Sequence, residues 1–285
     1  MPTFEPMSVG GIVDNAFRLY KRNFTRFIAI VAVVQVPMSL LMILAQSLMA
    51  AGQQTPAQGS GAQAAMFIGG GATMILAVLF AIVAGNLSKA ALVRSVSQSY
   101  LGGDVTVGEA YRYVLPKLLT IILASFLVAL VAGVGFVFCI VPGVIFMLWF
   151  ALAIQVIVIE GQGVTASMAR SKELVKGNMG KVFLVGLILF LIGLLAGGIA
   201  TGISTVLRVA FGLPLFGPEA QSPVSLAIGH LFDLVANLLA APIGAAAMIL
   251  LYYDLRIRKE GFDLEMLARQ FGGQGAGSDV GHEEP

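Results

Sequence analysis

The 285 residues are 58% hydrophobic and only 11% charged, with a mean hydropathy of +0.92. A chain of that composition is a polytopic membrane protein, not a soluble domain. A formal net charge of +2 is too small to point to nucleic acid, and the single cysteine, Cys139, excludes a disulfide framework or a cysteine metal cluster.

The chain opens with a polar-faced segment, 9–25, followed by an uncharged stretch. Ile12, Ala16, Phe17, Tyr20 and Phe24 recur at helical spacing on one side, while Asp14, Arg18, Lys21, Arg22 and Thr25 fall on the other. A helix basic on its polar side favours the membrane interface. Phe27–Met49 then supplies 23 residues without a charge, enough to cross a hydrocarbon core of about 30 Å. The apolar run is longer than a signal-peptide core, so no cleavable signal is expected.

Further uncharged runs follow at Ala64–Leu87, Leu118–Ile159, Val182–Leu207 and, with two exceptions, Val224–Tyr253. The third run would be about 63 Å long as one helix, twice what a crossing needs. It must fold back, and Cys139-Ile-Val-Pro-Gly143 supplies the expected break, since Pro142-Gly143 does not continue a helix comfortably. The prediction is an all-α membrane domain over 1–271 with six transmembrane helices near 27–49, 65–87, 117–138, 143–159, 182–207 and 226–252. The Gly-rich tail 272–285 is expected to be disordered.

Charge placement agrees with six spans. Arg18, Lys21, Arg22 and Arg26 precede the first span. Lys89, Arg94, Arg112 and Lys117 lie between the second and third. Arg170, Lys172, Lys176 and Lys181 lie between the fourth and fifth, and Arg256, Arg258, Lys259 and Arg269 follow the sixth. Sixteen of the 17 basic residues thus share one side, with Arg208 alone on the other. The positive-inside rule makes that side cytoplasmic and both termini N-in and C-in.

The opening unit recurs. Interfacial helices are expected near 9–25, 106–115, 164–178 and 263–271. Thr106-Val-Gly-Glu109 is a capping-box pattern, and Ser8-Val-Gly-Gly11 is the same start without the acidic partner. Leu174-Val-Lys-Gly-Asn178 matches Leu19-Tyr-Lys-Arg-Asn23 in Leu, Lys and Asn. These correspondences suggest three interfacial-helix-plus-hairpin units. The plainer alternative is that any interfacial helix leading into a span has this pattern.

Ser8-Val-Gly-Gly-Ile-Val-Asp-Asn-Ala-Phe-Arg-Leu-Tyr-Lys-Arg-Asn-Phe24 resembles the N-terminal signature of the bacterial glycerophosphoryl diester phosphodiesterase membrane-domain family. Ala169–Asn178 and Leu251–Glu265 are similar to its other two signatures. The resemblance implies a stand-alone membrane domain of the bacterial inner membrane with a role in envelope or phospholipid homeostasis. The family's name comes from fusion, in some members, to a catalytic barrel. Gly11 stands where an acidic residue is usual, which weakens the expected cap of the first helix.

Hydrolysis of the fused kind needs metal-holding carboxylates and catalytic histidines. The two histidines here, His230 and His282, lie at the outer end of a span and in the tail. No His-Glu-x-x-His motif, phosphate loop or nucleophile elbow occurs, so neither enzyme activity nor a cofactor is expected. One intramembrane polar cluster stands out: His230, Asp233 and Asn237 share a helical face near the outer end of the sixth span, with Arg208 as the expected partner of Asp233. It is either a proton- or headgroup-binding site or an outer-rim ion pair that fixes two spans.

Other polar and small residues read as structural. Gly69-Gly70-Gly71, Gly193/Gly197 and Gly198/Gly202 suggest close helix packing. Gln35 beside Pro37 suggests a kink with a satisfied amide, Tyr252-Tyr253 an aromatic belt, and Asp254/Arg258 and Arg256/Glu260 helical ion pairs. The functional expectation is a non-enzymatic protein whose partners are anionic lipids of the cytoplasmic leaflet, met by a collar of Arg18, Lys21, Arg22, Arg26, Lys117, Lys176 and Lys181. A protein partner is left open. The alternative is a small transporter or lipid-moving protein with its site near the outer ends of the last two spans.

Overall fold

The computed structural model describes residues 6–54, 60–217, 220 and 222–260, side chains excepted at 52–54, 60 and 62–67. The interfacial segment expected at 263–271 and the tail 272–285 lie outside these residues. Within them there are ten α-helices and no strand: α1 (Val9–Arg22), α2 (Phe24–Gln54), α3 (Ser60–Tyr100), α4 (Val107–Val114), α5 (Leu118–Phe138), α6 (Ile140–Trp149), α7 (Ala153–Glu160), α8 (Val164–Val175), α9 (Met179–Ala210) and α10 (Pro223–Glu260). A 3₁₀ turn, Leu115–Lys117, joins α4 to α5. Six stretches are long and apolar enough to cross a membrane: Phe24–Ala51, Ile68–Tyr100, Val107–Phe138, Ile140–Glu160, Met179–Ala210 and Pro223–Glu260. This is the six-span, all-α chain that hydropathy predicts.

Three short helices, α1, α4 and α8, each precede a long apolar one. Thr106 Oγ1 accepts from the Glu109 amide at 3.3 Å while Glu109 accepts from the Thr106 amide at 2.8 Å, completing the capping box. Ser8 caps α1 without an acidic helper, accepting from the Gly11 amide at 3.0 Å. The first cap is therefore made despite Gly11; caps of this kind contribute about 1 kcal/mol each. The matched asparagines occupy the same place in their units: Asn23 (φ −118°, ψ 24°) ends α1 and Asn178 (φ −125°, ψ 21°) begins α9. Leu19 and Leu174, four residues earlier, are both buried.

The core sits at the Lys/Arg-rich end. There α10 is sheathed on all sides: Ile249, Leu250, Leu251, Tyr252, Tyr253, Asp254 and Leu255 are essentially inaccessible. Ile12 and Ala16 of α1, Phe27 and Ile30 of α2, Ala90–Val96 of α3 and Leu174 and Val175 of α8 surround them. Tyr252 and Tyr253 are thus core residues and not an aromatic belt. Tyr253 stacks on Tyr100 and shares a 2.7 Å hydrogen bond with Ser97, while Tyr252 donates to Glu160 at 2.7 Å. Burial of such rings contributes more than interfacial anchoring would.

Buried charge completes this end. Asp254 is fully buried and receives the Lys181 ammonium, the Arg258 guanidinium at 3.1 Å and the Met7 amide at 2.7 Å. The expected Asp254/Arg258 and Arg256/Glu260 pairs are both present. Lys181 and Arg258 also donate to the Met7 carbonyl. One carboxylate therefore ties the start of α1, the start of α9 and the end of α10 together.

The third apolar run breaks within the expected Cys139–Gly143 segment, at its first residue. The chain reverses at Cys139, an extended residue (φ −170°, ψ 151°) between α5 and α6. Pro142 instead occupies the first turn of α6, where its missing N–H costs nothing. Close approach drives the geometry: a Cβ on Gly143 would lie 2.5 Å from the Phe136 ring, and one on Gly135 would lie 2.9 Å from Gly143 backbone. A second interruption, at 150–152, splits the fourth span into α6 and α7. Ser171 of α8 satisfies the exposed backbone, donating to the Trp149 carbonyl at 2.7 Å and accepting from the Leu152 amide at 3.1 Å. In an apolar surrounding such groups need a partner.

Small residues pack less than expected. Gly70 does lie against Met49, with a Cβ there 3.0 Å from its backbone nitrogen, but Gly69 and Gly71 face open space. Gly193, Gly197, Gly198 and Gly202 of α9 likewise have nothing within 4 Å among the described residues, so they form no packing seam with them. A polar contact serves instead between α3 and α5, where Ser125 donates to Asn86 at 2.8 Å.

Two consequences are measurable. Ser171→Ala leaves a buried amide and carbonyl without partners; it should lower stability by about 1–3 kcal/mol, seen as a lower Tm in detergent, and an unchanged Tm would show that the break needs no serine. Asp254→Asn keeps the side-chain shape but strands Lys181, so it should destabilise by about 3–5 kcal/mol, whereas a neutral effect would mean that the buried charge does not lock the bundle.

Candidate functional site

The amphipathicity of α1 builds a cavity at the basic end. Its apolar side, Ile12, Ala16 and Leu19, is buried against α10, which leaves Arg18 and Arg22 together, one turn apart, on the outer side. A cavity of about 500 Å³ opens there, lined by Asn15, Arg18, Leu19, Arg22, Tyr100 and Leu250. Arg22 donates to the Ser99 carbonyl at 2.9 Å, which fixes one arm of its guanidinium against the end of α3. Arg18 is exposed and makes no hydrogen bond or ion pair among the described residues. Two guanidinium forks over an apolar floor suit a phosphate or carboxylate attached to something greasy.

The expected collar divides. Arg18, Lys21 and Lys176 are exposed and have no protein partner among the described residues. The other four each make a contact within the protein. Arg22 holds Ser99, and Arg26 pairs with Asp104 at 2.7 Å. Lys117 donates to the Val158 carbonyl at 3.0 Å and lies over the Tyr113 ring, while Lys181 serves Asp254. The collar is thus narrower than charge placement alone predicts: Asp104 and Asp254 lie far from their cations in sequence, and only the fold joins them.

A second ionic group joins α7, α8 and α10. Arg170 meets Glu160 at 3.3 Å, Glu173 at 3.2 Å and also Glu260, which accepts from Arg256 at 3.0 Å. Burial acts to lower the Arg170 pKa, but Glu160, followed by Glu260 and Glu173, outweighs it and holds the pKa above its ordinary value. Every member has a partner of opposite charge, so this group is a brace.

At the far end the polar cluster takes another form. Arg208 donates to Ser225 Oγ at 2.9 Å and to the carbonyls of Ala220 at 3.2 Å and Pro214 at 3.4 Å, closing the loop between α9 and α10. The expected Arg208–Asp233 ion pair is not formed. Asp233 is exposed and makes no ion pair among the described residues, because Ser225, nearer the start of α10, captures the guanidinium first. His230 is half-buried, and Asn237 donates back to the Asp233 carbonyl at 3.0 Å. The structure therefore does not assemble these four residues into one site.

Asn237 instead belongs to a smaller cavity, about 240 Å³, between α2, α3 and α10, which also includes Gln35 and Lys89. Ser39 donates to the backbone carbonyl of Gln35 at 2.9 Å, one turn from Pro37. The Gln35 side-chain amide itself has no partner among the described residues, contrary to expectation. Lys89 was legible in the sequence only as a basic residue between the second and third spans; its cavity comes from neighbours on other helices. Among the described residues, no three His, Cys, Asp or Glu side chains come together as a metal site.

No curated protein and no solved structure matches the chain. The family described as Domain of unknown function (DUF7847) matches residues 7–255, which is nearly all of the helical bundle, and the chain belongs to that family.

Proposed function

We propose that this protein is a non-enzymatic, lipid-binding protein of the bacterial inner membrane, with its basic end and both termini in the cytoplasm. Its role is to hold an anionic phospholipid headgroup in the Arg18–Arg22 cavity. The observation that carries this reading is the pair of guanidinium groups one turn apart at the rim of an apolar-floored cavity of about 500 Å³. Sixteen of 17 basic residues on one side of six spans support the orientation. The short helices α1, α4 and α8 then lie in the cytoplasmic interface, with Lys21 and Lys176 extending the positive surface toward anionic lipid. The resemblance of 8–24, 169–178 and 251–265 to the glycerophosphoryl diester phosphodiesterase membrane domain supports a place in phospholipid homeostasis, without the hydrolysis.

The alternative, a lipid-moving protein with its site near the outer ends of α9 and α10, has weaker support. Arg208 is committed to closing its own loop, and Asp233 faces outward alone.

Lipids retained by the purified protein after extensive washing in lipid-free detergent test the reading. Mass spectrometry should find one anionic phospholipid class enriched at fixed stoichiometry. Arg18→Gln, which touches no internal contact, should lower affinity for that class about fivefold, the worth of one basic residue near an acidic surface. Retained lipids that mirror the host membrane in both proteins would sink the proposal.

A further inference from the structure

Lys89 carries a charge that no described residue answers. It lies two residues past the uncharged stretch 64–87 on the Ile68–Tyr100 helix, is exposed, and makes no ion pair or hydrogen bond among the described residues. It lines the same cavity as Val31, Val34 and Gln35 of α2. Those residues lie about 6–12 Å beyond Phe27 along α2, at 1.5 Å per residue, and Phe27 begins the first uncharged stretch. An ammonium at that depth is costly unless paired, and an ionisable residue inside a membrane needs a named partner.

The cavity around it holds further unsatisfied polarity. Gln35 presents an amide with no partner among the described residues. Asn237 uses one N–H on the Asp233 carbonyl at 3.0 Å, leaving its second N–H and its oxygen for the cavity. Ser88 is buried beside it, and Met38 and Val34 make the rest apolar. Asp233 does not line the space and makes no ion pair with Lys89. One cation, two amides and a greasy wall define the complementary ligand: a single negative charge carrying hydrogen-bond acceptors, attached to an apolar chain.

We propose that the cavity between α2, α3 and α10 binds a monoanionic amphiphile from within the membrane, its anion on Lys89 and its acceptors on Gln35 and Asn237. A doubly charged phosphate monoester does not fit, because one ammonium leaves half its charge unpaired in an apolar setting. At about 240 Å³ the space takes a headgroup and the first methylenes, not a whole acyl chain. The remainder of the chain runs outward among exposed side chains such as Val36 and Leu40 of α2. Two chemical sources share this description, a fatty-acid carboxylate and a phospholipid phosphodiester. The site is separate from the Arg18–Arg22 cavity, so either assignment can fail without the other.

Native mass spectrometry of the full-length, delipidated protein in neutral detergent decides it, with oleate and dioleoyl phosphatidylglycerol as separate probes. In an Arg18→Gln background, which weakens the other cavity, the protein should still take up one equivalent of probe, which Lys89→Gln weakens at least tenfold and Lys89→Arg restores. Uptake of oleate alone identifies the carboxylate source, and uptake of phosphatidylglycerol alone the phosphodiester. Because Lys89 makes no internal bond, Lys89→Gln should melt at the wild-type Tm, which separates lost binding from lost fold. Binding of neither probe, or equal binding with and without Lys89→Gln in that background, overturns the proposal and leaves Lys89 as a lysine that snorkels to the interface.

Discussion

The fully buried carboxylate of Asp254 governs the arrangement of the bundle. It takes Lys181 from the start of α9, Arg258 from its own helix and the backbone amide of Met7 from the approach to α1. A membrane supplies no hydrophobic drive between helices, because lipid tails are as apolar as leucine. Directional polar contacts must then fix which helix lies beside which. Asp254, the Ser97–Tyr253 bond and the Tyr252–Glu160 bond all fall on one turn of α10 and point to different neighbours. Around that turn the core residues are inaccessible. Farther along the spans, Leu40, Leu130 and Leu195 remain exposed on their helices.

Hydropathy made the number of spans legible, because an uncharged stretch of bilayer length has few alternatives. The starts of α1 and α4 were legible too: Ser8 and Thr106 act through atoms three residues away, so the pattern and the bond are both local. Contacts between distant segments were not legible. Phe150, Ala151 and Leu152 contain no helix breaker, and the interruption there is stabilised by Ser171, on a different helix. The break within Cys139–Gly143 was legible as a segment, but proline in a first turn fits a helix well, and the reversal itself falls to Cys139.

The same distinction explains the polar sites. Basic residues could be assigned to one end by counting, yet counting could not tell an exposed Arg18 from an internally engaged Lys181. That depends on whether an acid arrives from elsewhere in the chain. Arg208 and Asp233 were matched because each lacked another partner in sequence. Ser225 and two carbonyls of the intervening loop satisfy Arg208 more cheaply, since none of them is a charge to be desolvated. The glycines of α9 show the converse error: a small-residue pattern predicts close approach only if a second helix comes there.

The Met7 backbone has a topological implication. Its carbonyl accepts from Arg258 at 3.1 Å, so the start of the helical bundle and the end of α10 meet at one point. An even number of crossings requires them to share a side, but not to touch. A path that returns to its origin is nearly a closed ring, and the order in which its hairpins are numbered is a matter of where the ring is cut. A short peptide joining the two ends, with a new opening in the far loop between α9 and α10, would leave the contacts around Asp254 in place. A circularly permuted chain of that design should fold to the same bundle.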